Sequence, residues 1–126
     1  MSSLTKEHVE QIVKAAREKG QRPDLSEINL REVNLSGADL RGAKLIDADL
    51  KGTDLSQADL IRTDLHGANL IGANLYKAVL KGANLQDTNL TGANLNRADL
   101  DGVSYNSATR WPINFSPIRA GAIQDD

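Results

Sequence analysis

The residues able to do chemistry are few, and their spacing does not bring them together. The 126-residue chain has no Cys and only two His, His8 and His66. Thiol chemistry, disulfides and Cys-based metal sites are excluded, and a His cluster lacks members. Asp47, Asp49 and Asp64 offer oxygens of the kind Ca²⁺ takes, but their spacing matches no loop motif. No phosphate loop, nucleophile elbow or dinucleotide fingerprint occurs. Two carboxylates acting as acid and base need a cleft and opposed environments, which a regular convex surface does not supply. The reading is no catalytic residue, no cofactor and no metal. Lys+Arg 15 against Asp+Glu 17 gives a net charge of -2, and aromatics are 3 %. That balance argues against a basic nucleic-acid binder and against a base-stacking platform. Apolar runs are too short to span a membrane. Lys6, Glu7, Glu10 and Lys14 occupy the place of a signal peptide's apolar stretch. The expected compartment is the cytoplasm, with a processed periplasmic or lumenal form left open.

What positions these residues is a repeat of five. Leu25, Leu30, Leu35, Leu40, Leu45, Leu50, Leu55, Leu60, Leu65, Leu70, Leu75, Leu80, Leu85, Leu90, Leu95 and Leu100 stand in unbroken register. Asp or Asn precedes fourteen of these sixteen leucines; Lys44 and Val79 are the exceptions. Two before each Leu, from Ala38 to Ala98, the residue is Ala ten times and Thr three times. Two after it is Gly in eight of sixteen. A helix would smear a period of five around its surface, and a straight strand would put consecutive leucines on opposite faces. The chain must turn every five residues. Gly supplies a corner with positive φ; where Asp, Lys, Arg, Gln or Glu replaces it, a type I or looser turn is expected. Leu and the small residue before it face inward as the core, and Asx and the residue after Leu face outward.

Residues 38–42 read Ala-Asp-Leu-Arg-Gly and residues 68–72 read Ala-Asn-Leu-Ile-Gly. In these motifs the sequence resembles the pentapeptide-repeat family over roughly residues 24–103. The resemblance implies an all-β solenoid, a right-handed quadrilateral β-helix of four pentapeptides per coil. About four coils result, a tower of roughly 19 Å at sheet spacing. One inward column then reads Leu25, Leu45, Leu65, Leu85 and Tyr105. The outward Asn columns, such as Asn29-Asp49-Asn69-Asn89, are expected to hydrogen-bond from coil to coil. His66 falls in the column Ser26-Ile46-His66-Gln86, with no acid stacked on it.

A solenoid needs caps. Three segments are expected: an N-terminal cap over 1–23, the repeat over 24–103 and a C-terminal cap or tail over 104–126. Thr5 reads as an N-cap, and Val9, Ile12, Val13 and Ala16 form one apolar helix face. A capping helix is expected over about 6–19, stopped by Gly20 and Pro23. The repeat decays after Leu100, and Tyr105, Trp111, Pro112, Phe115 and Pro117 follow. This tail, with Thr-Arg-Trp-Pro at 109–112 and Phe-Ser-Pro at 115–117, resembles that of bacterial and notably cyanobacterial members. It reads as a cap, with docking or dimerisation through it as the sharper alternative. Asp125 and Asp126 are expected to fray.

The function this supports is a non-enzymatic structural or protein-interaction module. An unidentified protein partner is expected, with no membrane and no nucleic acid, and a monomer unless the tail pairs two chains. Ile61 and Val79 make the best apolar spot on the tower, and Trp111 and Phe115 the second candidate surface. The alternative is a DNA-mimic regulator of DNA gyrase or another DNA-binding enzyme. That reading is weakened by four all-Leu coils and a repeat-region charge of only -4, from eight basic and twelve acidic residues.

Overall fold

The architecture follows from where each repeat's five backbone N–H groups go. In the computed structural model, which describes residues 4–126, the answer is nearly the same in every repeat. The first three residues of the 1–23 segment lie outside the described residues. Leu45 N–H donates to Asp64 O at 2.7 Å and Asp47 N–H to His66 O at 2.8 Å, both on the next coil. Asp49 N–H donates to Ile28 O on the coil before, at 2.9 Å, and Ala48 N–H closes the corner on Leu45 O at 3.1 Å. Parallel pairings such as Asp24↔Lys44, Asn29↔Asp49, Asn34↔Asp54 and Asp39↔Asp59 join residues twenty apart, four sides to a coil.

The fifth N–H belongs to the residue after Leu, and it faces outward. Its acceptor is the Oδ1 of the Asp or Asn two residues earlier: Ile71 N–H to Asn69 and Tyr76 N–H to Asn74, each at 3.0 Å. All fourteen Asx residues preceding a leucine make this bond. The expectation of Asn ladders between coils is therefore corrected. The side chain is used within its own repeat as an Asx turn, because that N–H has no carbonyl within reach. Coil-to-coil bonds such as Asn84 Nδ2 to Asp64 Oδ1 at 3.3 Å are the minority.

The corner expectation is also corrected. All sixteen residues two after Leu have positive φ, the non-glycines included: Glu27, Glu32, Asp47, Gln57, Arg62, Lys77, Asp87 and Arg97 lie at 56–60°. With the Leu O to small-residue N–H bond this is a type II turn throughout. Stacking imposes it, since the corner N–H must meet the next coil; Arg62 N–H, for example, donates to Lys81 O at 2.9 Å.

The sixteen leucines are all buried, most of them fully; the inward residues two before them are Pro23, Ile28 and Val33 in the first coil and Ala or Thr from Ala38 to Ala98, with Val103 following. Thr is admitted because its hydroxyl finds a carbonyl: Thr53 donates to Leu30 O at 2.6 Å and Thr88 to Leu65 O at 2.7 Å. Helix α1 (Lys6–Glu18) lies over the first coil, with Thr5 as N-cap and the His8 ring accepting the Thr5 N–H at 3.1 Å. It ends in a Schellman pattern, Gln21 N–H to Ala16 O and Gly20 N–H to Arg17 O, with Gly20 at φ +70. Val9 and Val13 are buried, but Ile12 is 38 % exposed, so the apolar face is narrower than the periodicity suggests.

The coil runs past residue 103. Tyr105 stacks above Leu85, and Asn89 pairs with Arg110, twenty-one residues on. One inserted residue keeps the inward positions filled. Thr109 takes the small site, donating to Leu85 O at 2.8 Å, and Trp111 takes the leucine site. Strand β1 (Ser104–Tyr105) then receives β2 (Ile123–Gln124) in parallel. Asp125 and Asp126 are tied down rather than frayed. Asp125 N–H donates to Tyr105 O at 2.7 Å, and the Asp126 carboxylate accepts the Ser107 N–H at 3.1 Å. Hydrogen bonds from Ser107 and then Gln124 hold the Asp126 carboxyl below its ordinary range.

Candidate functional site

With inward and Asx positions committed to the fold, variable chemistry is confined to the residue after Leu and the corner residue. On one side these line an open groove of about 650 Å³. Arg41, Ile61, Lys81 and Asp101 come from four successive coils, and the neighbouring corner column is Gly42, Arg62, Gly82 and Gly102. Arg41 is engaged: its guanidinium meets Asp39 at 2.8 Å and Asp59 at 3.6 Å. The Arg41 hydrogen bonds, then those of Arg17, hold the Asp39 carboxyl well below the usual carboxylate range. Arg62 and Lys81 make no ion pair among the described residues.

Of the two residues singled out as an apolar spot, Ile61 lines this groove and is half-buried. Val79 stands at its margin on the same side, between Asp59 and Asp99. Trp111 and Phe115 sit at the far end. Their rings stack at 5.2 Å, Trp111 meets Tyr105 edge-on at 5.4 Å, and both pack on the core of their own chain. The Trp111 Nε1 is buried without a hydrogen-bond partner among the described residues.

His66 has a partner that its column does not contain: Asp87 Oδ2 lies 3.4 Å from Nε2. Asp87 is a corner residue of the next coil, so the contact is diagonal, and comparison of residues twenty apart misses it. Asp49 pairs with Arg31, and Asp64 accepts from Asn84. Asp47, Asp49 and Asp64 are not drawn into one site, and no group able to hold a metal occurs among the described residues. Arg62 is a groove-lining side chain that the sequence reading did not single out. Its signal was present: it is the one corner residue with a side chain among Gly42, Gly82 and Gly102.

The family model for pentapeptide repeats matches in eight copies, over residues 24–60 and 68–104. Solved structures agree. The pentapeptide repeat protein alr5209 of Nostoc Pcc 7120 is 34 % identical with a TM-score of 0.86, over 93 % of this chain and 95 % of its own. Rfr23 of Cyanothece 51142 is 43 % identical with a TM-score of 0.71, over 71 % of this chain and 61 % of its own. A pentapeptide repeat protein of the Arabidopsis thaliana thylakoid lumen is 30 % identical with a TM-score of 0.53, over 74 % and 62 %. The chain spans less than two thirds of the latter two. No curated protein sequence gives a significant match.

Proposed function

This chain belongs to the pentapeptide repeat family, and from that premise we propose that it is a non-enzymatic interaction module whose rigid tower displays side chains to a protein partner. We read its winding as right-handed and quadrilateral, like that of the solved members. The observation that carries the functional reading is the division of labour within the repeat. Three of every five positions serve the core and the Asx turn, and the other two stand outward on a frame held by coil-to-coil hydrogen bonds. Such a surface presents groups in fixed rows, which suits recognition by lowering the entropy lost on binding. The family and its neighbours are in general structural repeat proteins rather than enzymes. A monomer is supported by self-capping, with Val9 and Val13 over one mouth and Tyr105, Trp111 and Phe115 at the other.

Affinity capture from a lysate of the source organism tests the module, using the full chain and an Ile61→Asp/Val79→Asp variant as baits. One stoichiometric protein retained by the first and lost by the second is the expected result. A folded chain that retains no protein from any growth condition overturns the reading. The DNA-mimic alternative gains nothing from the groove, where Arg62 and Lys81 present positive charge. A supercoiling assay checks it, and no inhibition is expected.

A further inference from the structure

One departure from the repeat has no structural return. Fourteen repeats place an Asx oxygen on the outward N–H, and two do not, at Lys44 and Val79. Lys44 is repaid electrostatically, because its column sets it between Asp24 and Asp64. Val79 stands between Asp59 and Asp99, half-buried and outside the core, and supplies neither acceptor nor charge. The Lys81 N–H is consequently left without an acceptor among the described residues. Its equivalents in the other repeats point outward, and Lys81 lines the groove. Beside it the Arg62 stem runs up over the next corner: its Cγ lies 3.5 Å from the place a Cβ on Gly82 would occupy. The groove therefore holds a free backbone donor, two cations without ion pairs and the half-buried Ile61; its acid is Asp101 at one end, and of the acids flanking Val79, Asp59 is met by Arg41 while Asp99 accepts the Asp101 N–H.

We propose that this groove binds an extended acidic segment of a partner protein. One carboxylate accepts the Lys81 N–H in the role that Asp or Asn fills elsewhere in the tower. Neighbouring carboxylates pair with Arg62 and Lys81, and an apolar side chain rests on Ile61. Phosphates would answer the charges but not the isoleucine, so an acidic peptide fits better than a nucleic acid. The inference rests on the interaction-module reading and gives the partner's chemistry.

The test is a fluorescence-anisotropy titration of the full chain with the labelled hexapeptide Glu-Glu-Leu-Glu-Glu-Leu at low ionic strength, followed by amide NMR. Saturable binding with a downfield shift of the Lys81 amide is expected. Val79→Asn supplies the acceptor internally without adding charge, and Lys81→Glu reverses one cation. Each should weaken binding by about tenfold or more, the loss of a charge-assisted hydrogen bond or ion pair. Val79→Asn should keep the melting temperature at or above that of the parent, which separates lost binding from lost folding. No saturable binding, equal binding by both variants, or equal affinity for an oligothymidylate of matched charge overturns the proposal. A lysate partner held equally by the parent and by Val79→Asn and Lys81→Glu overturns the groove alone and leaves the module standing.

Discussion

Truncating Asn74 to Ala would leave the Tyr76 N–H, now bonded to it at 3.0 Å, without a protein acceptor. The group is half-exposed and water replaces part of the bond, so the expected loss is about 1 kcal/mol by urea unfolding. Val79→Asn runs the same experiment backwards and should gain about 0.5–1 kcal/mol. A loss instead would show that the Lys81 N–H is already well served. Corners give a paired prediction. At Gly67 (φ +71) an added Cβ would run into the Asp47 carboxylate, so Gly67→Ala combines strain with a clash and should cost about 1–2 kcal/mol. Arg62 already holds φ 58, so Arg62→Gly should be near neutral, within about 1 kcal/mol, as relieved strain offsets added chain entropy. Composition showed that Asx precedes leucine but not why. A column of stacked Asn and a series of local Asx turns require Asx at the same positions, and only the direction of one N–H distinguishes them. The non-glycine corners were misjudged for a related reason. Local preference favours negative φ there, and the coil-to-coil bond of the corner N–H overrides it.

The N-terminal helix is held by two different kinds of contact, and they carry unequal weight. Val9 and Val13 cover the first coil's open mouth, so Val9→Ala should cost about 1–3 kcal/mol through lost burial and a cavity. Polar clamps fix the helix's orientation: Lys6 Nζ donates to Ser36 O at 2.7 Å, Arg17 to Asp39 at 3.0 Å and Arg22 to Gly42 O at 2.7 Å. The Arg17–Asp39 pair is more than a third exposed, so a double-mutant cycle should return below about 1 kcal/mol. The pH dependence of Asp39, bonded first to Arg41 and then to Arg17, has a fixed sign. The Asp39 pKa is lower folded than unfolded, so its contribution is present above the ordinary carboxylate pKa, about 3.9, and is lost as pH falls toward the lower folded value. Parent and Asp39→Asn should differ by a constant amount above about pH 5 and converge in acid. A difference that grew in acid would refute the assignment. The helix was legible from Thr5, the valine spacing and Gly20. Ile12 was not, because a period shows that a residue lies near the apolar face but not how far the partner surface extends. Trp111 was hidden for another reason: one inserted residue shifts Thr109 and Trp111 off the strict period, though they take up the small and leucine positions of a further side.

At the scale of the whole tower, each coil protects the one below it, so protection should depend on what lies above. Within the stack, Leu75, Lys77 and Leu80 donate their N–H groups to Asn94, Asn96 and Asp99. One coil higher the cover is incomplete. Leu85 and Leu90 still donate to Ser104 and Arg110, and Gly102 to Gly121, but Leu95, Arg97 and Leu100 have no backbone acceptor among the described residues. The tail thus rebuilds two sides of a further coil and leaves two as an open strand edge. Leu95 and Leu100 stay dry all the same: Leu95 is 7 % exposed and Leu100 2 %, in a core on which Trp111, Phe115 and Ala120 of the tail pack. Apolar closure and backbone closure are separated here, which a fully stacked repeat never allows. Amide exchange should read the separation directly. Leu75, Lys77 and Leu80 should exchange only by unwinding of the stack, while Leu95, Arg97 and Leu100 exchange near the rate of free amides although two of their side chains are buried. Removing residues 121–126 should extend fast exchange to Gly102, whose acceptor is lost, and leave Leu75 unchanged, because in a linear array stability is set by neighbours. Equal protection at Leu95 and Leu75 in the intact chain would mean that a second molecule covers the edge in solution, and the self-capped monomer would have to be given up.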